Sequence, residues 1–422
     1  MEWRNLPTDL VEDILSRIPA ITLARFRSTS KQWSAILKST SFAKMHTAKA
    51  QKREDESLNI MLIDSNVFQV RISLGAPYVK VADNPFYLKD PLSNSSRVGV
   101  LNLFHCDGLL LCTTKDKRLV VWNPCSGETT WIKPRDIYRE SDYYALGYTY
   151  DSKSSSKQYK ILRVDRHKDV PPNNEYEIYD FTSNTWRILG VATDWFLALY
   201  RRGISVKGNT FWIATQAWSP HNNFLLSFDF SAEMFQSLSL PRPFPYSILA
   251  LSVVREEQLC LLSLTKKELQ VCVTTSTGSW SQLLDVTFEY EISSSQFSKG
   301  MSFLADKQSK VVRCLNSDNV VYTVQENKHI QVNRLGKGKR ESITHDNFES
   351  SSVLLNYAPS LTQTQQDYTC KRKSPSDCSQ EQLIVEIDVD TPVRSGWTVA
   401  RQELLVRSSR TLGNTKKKSY LT

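Results

Sequence analysis

Residues 105–112 read HCDGLLLC and set a histidine, a cysteine and a carboxylate side by side. A thiol activated by an imidazole, with a carboxylate to orient the ring, is the equipment of nucleophilic catalysis. Consecutive residues on a strand or turn point in different directions, however, so adjacency alone makes no triad. Asp107–Gly108 ahead of an apolar run reads instead as a turn into a buried strand. The remaining histidines, at 46, 167, 221, 329 and 345, stand alone, without HExxH or comparable spacing. The eight cysteines (106, 112, 125, 260, 272, 314, 370, 378) contain no CxxC pair. That suits reduced thiols in the cytosol or nucleus better than a disulfide framework or a zinc site. No Gly-rich phosphate loop is present. The expectation is a chain without catalytic, cofactor-binding or metal-binding residues.

The elements that must position these residues are of two kinds. At 422 residues with 40% hydrophobic and 10% aromatic content, the chain supports two or three folded units. Its most apolar stretches, such as SILALSVV (247–254), are far shorter than a membrane-spanning helix requires. The N-terminus lacks the basic and apolar regions of a secretory signal. Residues 1–56 hold 10 Lys+Arg against 7 Asp+Glu, residues 57–330 hold 29 against 27, and residues 331–422 hold 14 against 10. The positive excess therefore sits at the ends. A nucleic-acid reader needs it on a folded face, so nucleic acid is an unlikely partner.

Residues 6–45 predict three short helices. Thr8 is placed to cap the first, with Leu10, Val11, Ile14, Leu15 and Ile18 as an apolar stripe and Pro19 as its stop. Thr22 is placed to cap a second carrying Leu23 and Phe26, and Ser30 a third over 31–38 with Trp33, Ile36 and Leu37 on one side. Residues 46–57 read as a charged linker or an exposed helix end. From 58 the pattern turns to strands: RLVVW (118–122), EYEIYDF (175–181), and hairpins over 204–214 around Gly208–Asn209, over 259–273 and over 320–335.

A repeat runs through this region. Strand, turn and aromatic anchor recur at Trp131, Trp186, Phe235 and Trp280, spaced 55, 49 and 45 residues apart. In the last three, Asp180, Asp229 and Thr274 precede the anchor by six positions. A period of ~40–50 residues with several strands per unit is the signature of propeller blades. The anchors are expected to pack between blades rather than line a pocket. Recognition residues are expected in the loops, such as 138–145, 166–175 and 216–223.

The helical segment resembles the F-box. Leu6-Pro7, Ile14-Leu15-Ser16-Arg17-Ile18-Pro19, Leu23-Ala24-Arg25-Phe26-Arg27, Lys31-Gln32-Trp33 and Phe42 carry the likeness; Thr29-Ser30 replaces the Val-Cys of many members. About 40 residues cannot bury a self-sufficient core, so these stripes need cover from the rest of the chain or from a partner. The resemblance implies docking onto the Skp adaptor of a cullin–RING ubiquitin ligase. It makes Leu6, Pro7, Leu10, Ile14, Leu15, Leu23, Phe26 and Trp33 the adaptor-binding or interface-shaping residues.

The β region resembles the F-box-associated, kelch-like domain of large plant F-box families, through CDGLLLC (106–112), RLVVWNPCSGETTWI (118–132) and the closing NYAPSL (356–361). The paired glycines of kelch blades are absent, which leaves blade number and closure open. The resulting expectation is an N-terminal three-helix F-box (1–45), a linker (46–57), an all-β, kelch-like β-propeller domain (58–361) and a mostly disordered basic tail (362–422). In the tail, KRKSPS and TKKKS are either import signals or solvated basic runs, and QLIVEIDVD (382–390) is a strand-like exception. The implied function is a non-catalytic substrate receptor of a Skp–cullin–F-box ligase, cytoplasmic or nuclear, with an unidentified target protein and no membrane partner. The rival reading is an F-box-tethered β-propeller enzyme or small-molecule sensor.

Overall fold

Two prolines start the first two helices. In the computed structural model, α1 (Thr8–Ser16) and α2 (Ala20–Phe26) follow Pro7 and Pro19, both in extended conformation at the cap position. Their carbonyls accept the first helical bonds, from Val11 N–H at 3.2 Å and Leu23 N–H at 3.0 Å. Thr8 and Thr22 therefore lie inside helices rather than capping them, because proline has no N–H to leave unsatisfied and its fixed φ suits a helix start. Ser30 does occupy the cap position of α3 (Lys31–Lys38), without a side-chain cap bond.

A fourth helix, α4 (Thr40–Ala50), corrects the expected count of three and continues into the stretch read as linker or helix end. Its sequence, TSFAKMHTAKA, has few large apolar residues, so its periodic signal is weak. Phe42 is nevertheless fully buried, and Lys49 Nζ reaches Asp13 Oδ1 and Ser16 Oγ on α1, both at 2.7 Å. The described residues lie within 6–362; residues 1–5 and 363–422, the expected tail with its basic runs and 382–390, fall outside them, as do 51–57, 72–79, 135–141, 165–174, 292–299, 335–351 and shorter stretches.

Six sheets follow. Blade I contains β1 (Leu58–Ile63), β2 (Asn66–Arg71) and β3 (Lys80–Val81). Blade II contains β4 (Val100–Cys106), β5 (Leu109–Thr114), β6 (Leu119–Trp122) and β7 (Thr129–Ile132). Blade III contains β8 (Tyr143–Tyr150), β9 (Lys157–Val164), β10 (Tyr176–Asp180) and β11 (Thr185–Leu189). Blade IV contains β12 (Trp195–Phe196), β13 (Ile204–Val206), β14 (Asn209–Gln216), β15 (Ser219–Asp229) and β16 (Met234–Leu238). Blade V contains β17 (Ile248–Val254), β18 (Gln258–Leu264), β19 (Glu268–Thr274) and β20 (Trp280–Thr287). Blade VI contains β21 (Ser302–Asp306), β22 (Val311–Leu315), β23 (Val320–Gln325) and β24 (Ile330–Arg334). The last strand, β25 (Val353–Tyr357), returns to pair with β1, Leu58 opposite Tyr357 and Leu62 opposite Val353. That pairing closes a six-bladed propeller and settles the blade number.

Strands inside a blade are covered on both faces by neighbouring blades, so they read as continuous apolar runs: all six residues of β5 and all four of β6 are buried. The repeat marks the outer hairpin of blades II to V. Asp180 and Asp229 carboxylates accept the backbone N–H groups of Thr182 and Ser231, both at 2.7 Å. Two residues before the anchor the chain takes positive φ, at Asn184 (58°), Glu233 (55°) and Gly278 (81°). The blade IV hairpin turns at Lys207–Gly208 (φ 51° and 87°), one residue earlier than Gly208–Asn209.

Antiparallel neighbours fix two faces. In blade IV β12 and β13 both pair with β14 and share the innermost position, and in blade I that position belongs to β25. Counted outward from the innermost position, the ends joining first to second and third to fourth strand lie on one face. The connections from second to third strand and on to the next blade leave the other.

Candidate functional site

The eight candidate adaptor residues divide by burial. Leu15 and Leu23 are interior, 2% and 0% exposed, packed with Val11, Ile36, Leu37 and Phe42. Leu10 and Ile14, one helical turn apart, are 52% and 40% exposed, and Pro7 is exposed one turn earlier. Residues at this spacing share a helix face. Leu6, Phe26 and Trp33 are half-buried against the same core, and the Phe26 and Trp33 rings meet edge to face at 5.4 Å. Of the five-residue stripe on α1, Leu10 and Ile14 thus stay uncovered, Val11 and Leu15 are enclosed, and Ile18 is intermediate.

Part of the missing cover comes from the propeller. Leu361, beyond β25, lies 4% exposed within the helical core, and Cys125 of the β6–β7 turn packs on it. Arg27 donates to Leu361 O at 2.9 Å and to Glu128 Oε1 at 3.0 Å. Asn123 Nδ2 holds Ser360 O at 2.9 Å and Thr362 O at 3.0 Å. The helices therefore sit on the end of blade II from which the β4–β5 and β6–β7 turns leave. Sequence reasoning noted NYAPSL only as a domain end; Leu361 carried no periodic signal because it stands alone.

HCDG is a turn. Asp107 and Gly108 both have positive φ, 55° and 76°, at the tip of the β4–β5 hairpin. The three side chains go to different partners. His105 Nε2 accepts Gly108 N–H at 3.1 Å, Ser205 Oγ lies 3.1 Å from Cys106 Sγ, and Asp107 takes Lys157 Nζ at 2.6 Å together with the Tyr159 hydroxyl. Burial lowers the His105 pKa to about 4 and pushes the Cys314 and Cys125 thiols up to about 12, and Cys112 and Cys260 higher still. No group of three or more His, Cys, Asp or Glu able to hold a metal occurs among the described residues.

The model of the F-box domain matches residues 3–45, and that of the F-box associated beta propeller domain matches residues 58–364. The chain belongs to the F-box proteins with an associated propeller. It is 49% identical over 382 residues to the Arabidopsis thaliana F-box protein At3g23260, covering 86% of this chain and 100% of that one. It is 45% identical over 386 residues to At3g21130 of the same plant (87% and 99% covered), and 34% identical over 391 residues to the F-box/kelch-repeat protein At3g16740 (85% and 98%). The domain pair implies a substrate-recognition adaptor role in Skp–cullin–F-box complexes, and F-box proteins are generally non-catalytic adaptors. No helix among the described residues is long and apolar enough to cross a membrane.

In this F-box protein the innermost strands bond to one another about the propeller axis. The Tyr143 hydroxyl accepts Gly203 N–H at 2.6 Å, Leu354 N–H reaches Ser302 Oγ at 2.7 Å, and Asn356 Nδ2 reaches Val253 O. Arg202 of blade IV spans to Ser352 O of blade I at 3.5 Å, and burial lowers its pKa. The face away from the F-box carries two strongly exposed aromatics. Trp218, in the β14–β15 turn, is 81% exposed and Tyr290, after β20, is 83% exposed. The Trp218 turn stands on a bonded base: Arg201 reaches Thr215 Oγ1 at 2.9 Å and Asn223 Oδ1 at 2.7 Å, and Asn222 reaches Gln216 at 2.8 Å. This covers the expected recognition loop 216–223. Of the other expected recognition loops, 138–141 and 166–174 lie outside the described residues, while 142–145 run into β8 with Asp142, Tyr144 and Ala145 buried, so that part is strand rather than loop.

Proposed function

We propose that this F-box protein docks the Skp adaptor through the uncovered stripe of Pro7, Leu10 and Ile14, flanked by half-buried Leu6, Phe26 and Trp33. Leu15 and Leu23 shape that surface from beneath rather than touch the partner. The observation that carries this reading is the alternation on α1: Leu10 and Ile14 stand open while their neighbours Val11 and Leu15 are enclosed. Since each side chain is already about half covered, covering the rest contributes on the order of 1 kcal/mol each. Through the adaptor the chain joins a cullin–RING ligase. A target protein binds the propeller face away from the F-box, where Trp218 and Tyr290 supply the exposed aromatics that commonly anchor interfaces. Rate enhancement comes from holding target lysines near the ligase.

The test is co-purification of the full chain with a Skp adaptor. Leu10→Asp with Ile14→Asp is expected to weaken binding by at least ~100-fold, since two apolar anchors are lost and charges are placed in their stead. The melting temperature should stay within a few degrees of the parent, because both sites are exposed. Undiminished binding by the double variant would sink the assignment. Trp218→Ala should leave adaptor binding intact while reducing target capture.

A further inference from the structure

The segment after β25 has two attachments. β25 closes the propeller by pairing with β1, and a few residues later Leu361 is enclosed by Val11, Leu15, Leu23 and Phe42. Between these points the chain has little freedom. Asn123 grips the carbonyls of Ser360 and Thr362, its own Oδ1 is fixed by Cys125 N–H at 2.9 Å, and Arg27 holds the carbonyl of Leu361. Gly108 is crossed so closely that a Cβ there would stand 2.3 Å from Ser360 Cβ and 2.8 Å from Ala358 O. All three successive carbonyls are satisfied, as a backbone taken out of water requires.

We propose that segment 358–362 makes the F-box core conditional on propeller closure. A docking-competent F-box is then presented only by a chain whose substrate domain is complete. The physical basis is size. The helices around Leu361 are 9, 7, 8 and 11 residues long, too short to persist without tertiary packing. Removing Leu361 leaves a cavity in their shared core. Leu361 is seated through a segment that follows directly from β25, so an unpaired β25 leaves the core unfilled. The consequence for ligase assembly rests on the adaptor reading above; the coupling of the two domains does not.

Hydrogen exchange on the full chain tests the coupling without any partner. In Leu361→Asp, the amides of α1, α2 and α3 are expected to exchange at least ~10-fold faster while blades III to V keep their protection. F-box exchange equal to that of the parent overturns the proposal. Should that variant fail to fold, Asn123→Ala removes the grip on the segment together with the Cys125 and Ser126 N–H bonds inside the β6–β7 turn, and a roughly threefold acceleration in α1–α3 is expected; no acceleration there overturns it. In the reverse direction, Leu354→Asp places a charge at a β25 position that is 2% exposed. It should release β1 and α1–α3 together, and a protected F-box beside an exchanging β1 and β25 overturns the proposal. Adaptor binding of the parent chain is measured separately; its failure strikes the adaptor reading and leaves the exchange result standing.

Discussion

At the residue scale, His105 gives the fold a pH dependence. Its Nε2 accepts a backbone N–H from Gly108, and burial lowers its pKa from 6.5 to about 4. The unfolded chain binds this proton near pH 6.5, so between the two values the unfolded state holds more protons. Stability is therefore full above the unfolded pKa and declines as pH falls toward the folded one. Denaturant unfolding of the parent is expected to lose roughly 1–2 kcal/mol between pH 7 and pH 5 from this group, a loss absent in His105→Gln. An identical pH slope in both proteins would refute it. Gly108 is fixed by geometry instead: alanine must adopt φ +76° and push Ser360 aside. A cost of about 3 kcal/mol, read from the denaturation midpoint, is expected. The Asp107–Gly108 turn was legible in sequence because its chemistry is local. The neighbour that makes Gly108 irreplaceable lies some 250 residues away, and no local pattern encodes it.

At the element scale, the aromatic anchors tie blades together. Trp186 Nε1–H donates to Lys133 O at 2.9 Å, just past β7 of the preceding blade, and Trp280 Nε1–H donates to Ser239 O at 3.3 Å, just past β16. Trp131 has no acceptor for its indole N–H among the described residues and instead lies under Arg118 at 4.1 Å. Trp186→Phe is thus expected to cost about 0.5–1 kcal/mol more than Trp131→Phe, measured by chemical denaturation. Equal costs would show that the hydrogen bond contributes nothing. The repeat was visible in blades II to V because the outer hairpin there keeps a nearly constant turn and an aromatic anchor. It failed in blade I, whose β3 is two residues long, and in blade VI, whose IQVNR strand lacks an aromatic. The apolar stripe of α1 was legible as a period of 3.6. Which half of it faces out was not, because Leu361 fills the other half from across the chain.

At the scale of the whole molecule, helices and propeller share one packed region through Leu361, Cys125 and Arg27. They should melt together. Helix-sensitive circular dichroism and tryptophan fluorescence are expected to report one coincident transition in the parent. In Leu361→Ala the helical signal should be lost first, at a temperature lower by about 5–10 °C, given ~2–5 kcal/mol for a vacated leucine site. Coincident melts in that variant would mean that Leu361 does not carry the coupling between the two units. The pairing of β25 with β1 has a further consequence, for synthesis. The ribosome delivers β1 nearly 300 residues before the strand that completes its sheet. At about 5–20 residues per second that interval is roughly 15–60 s, during which blade I offers an open edge to any extended segment nearby. A nascent chain of this protein is expected to need a holding chaperone until its last strand emerges, and premature termination before residue 353 should yield products that aggregate rather than fold.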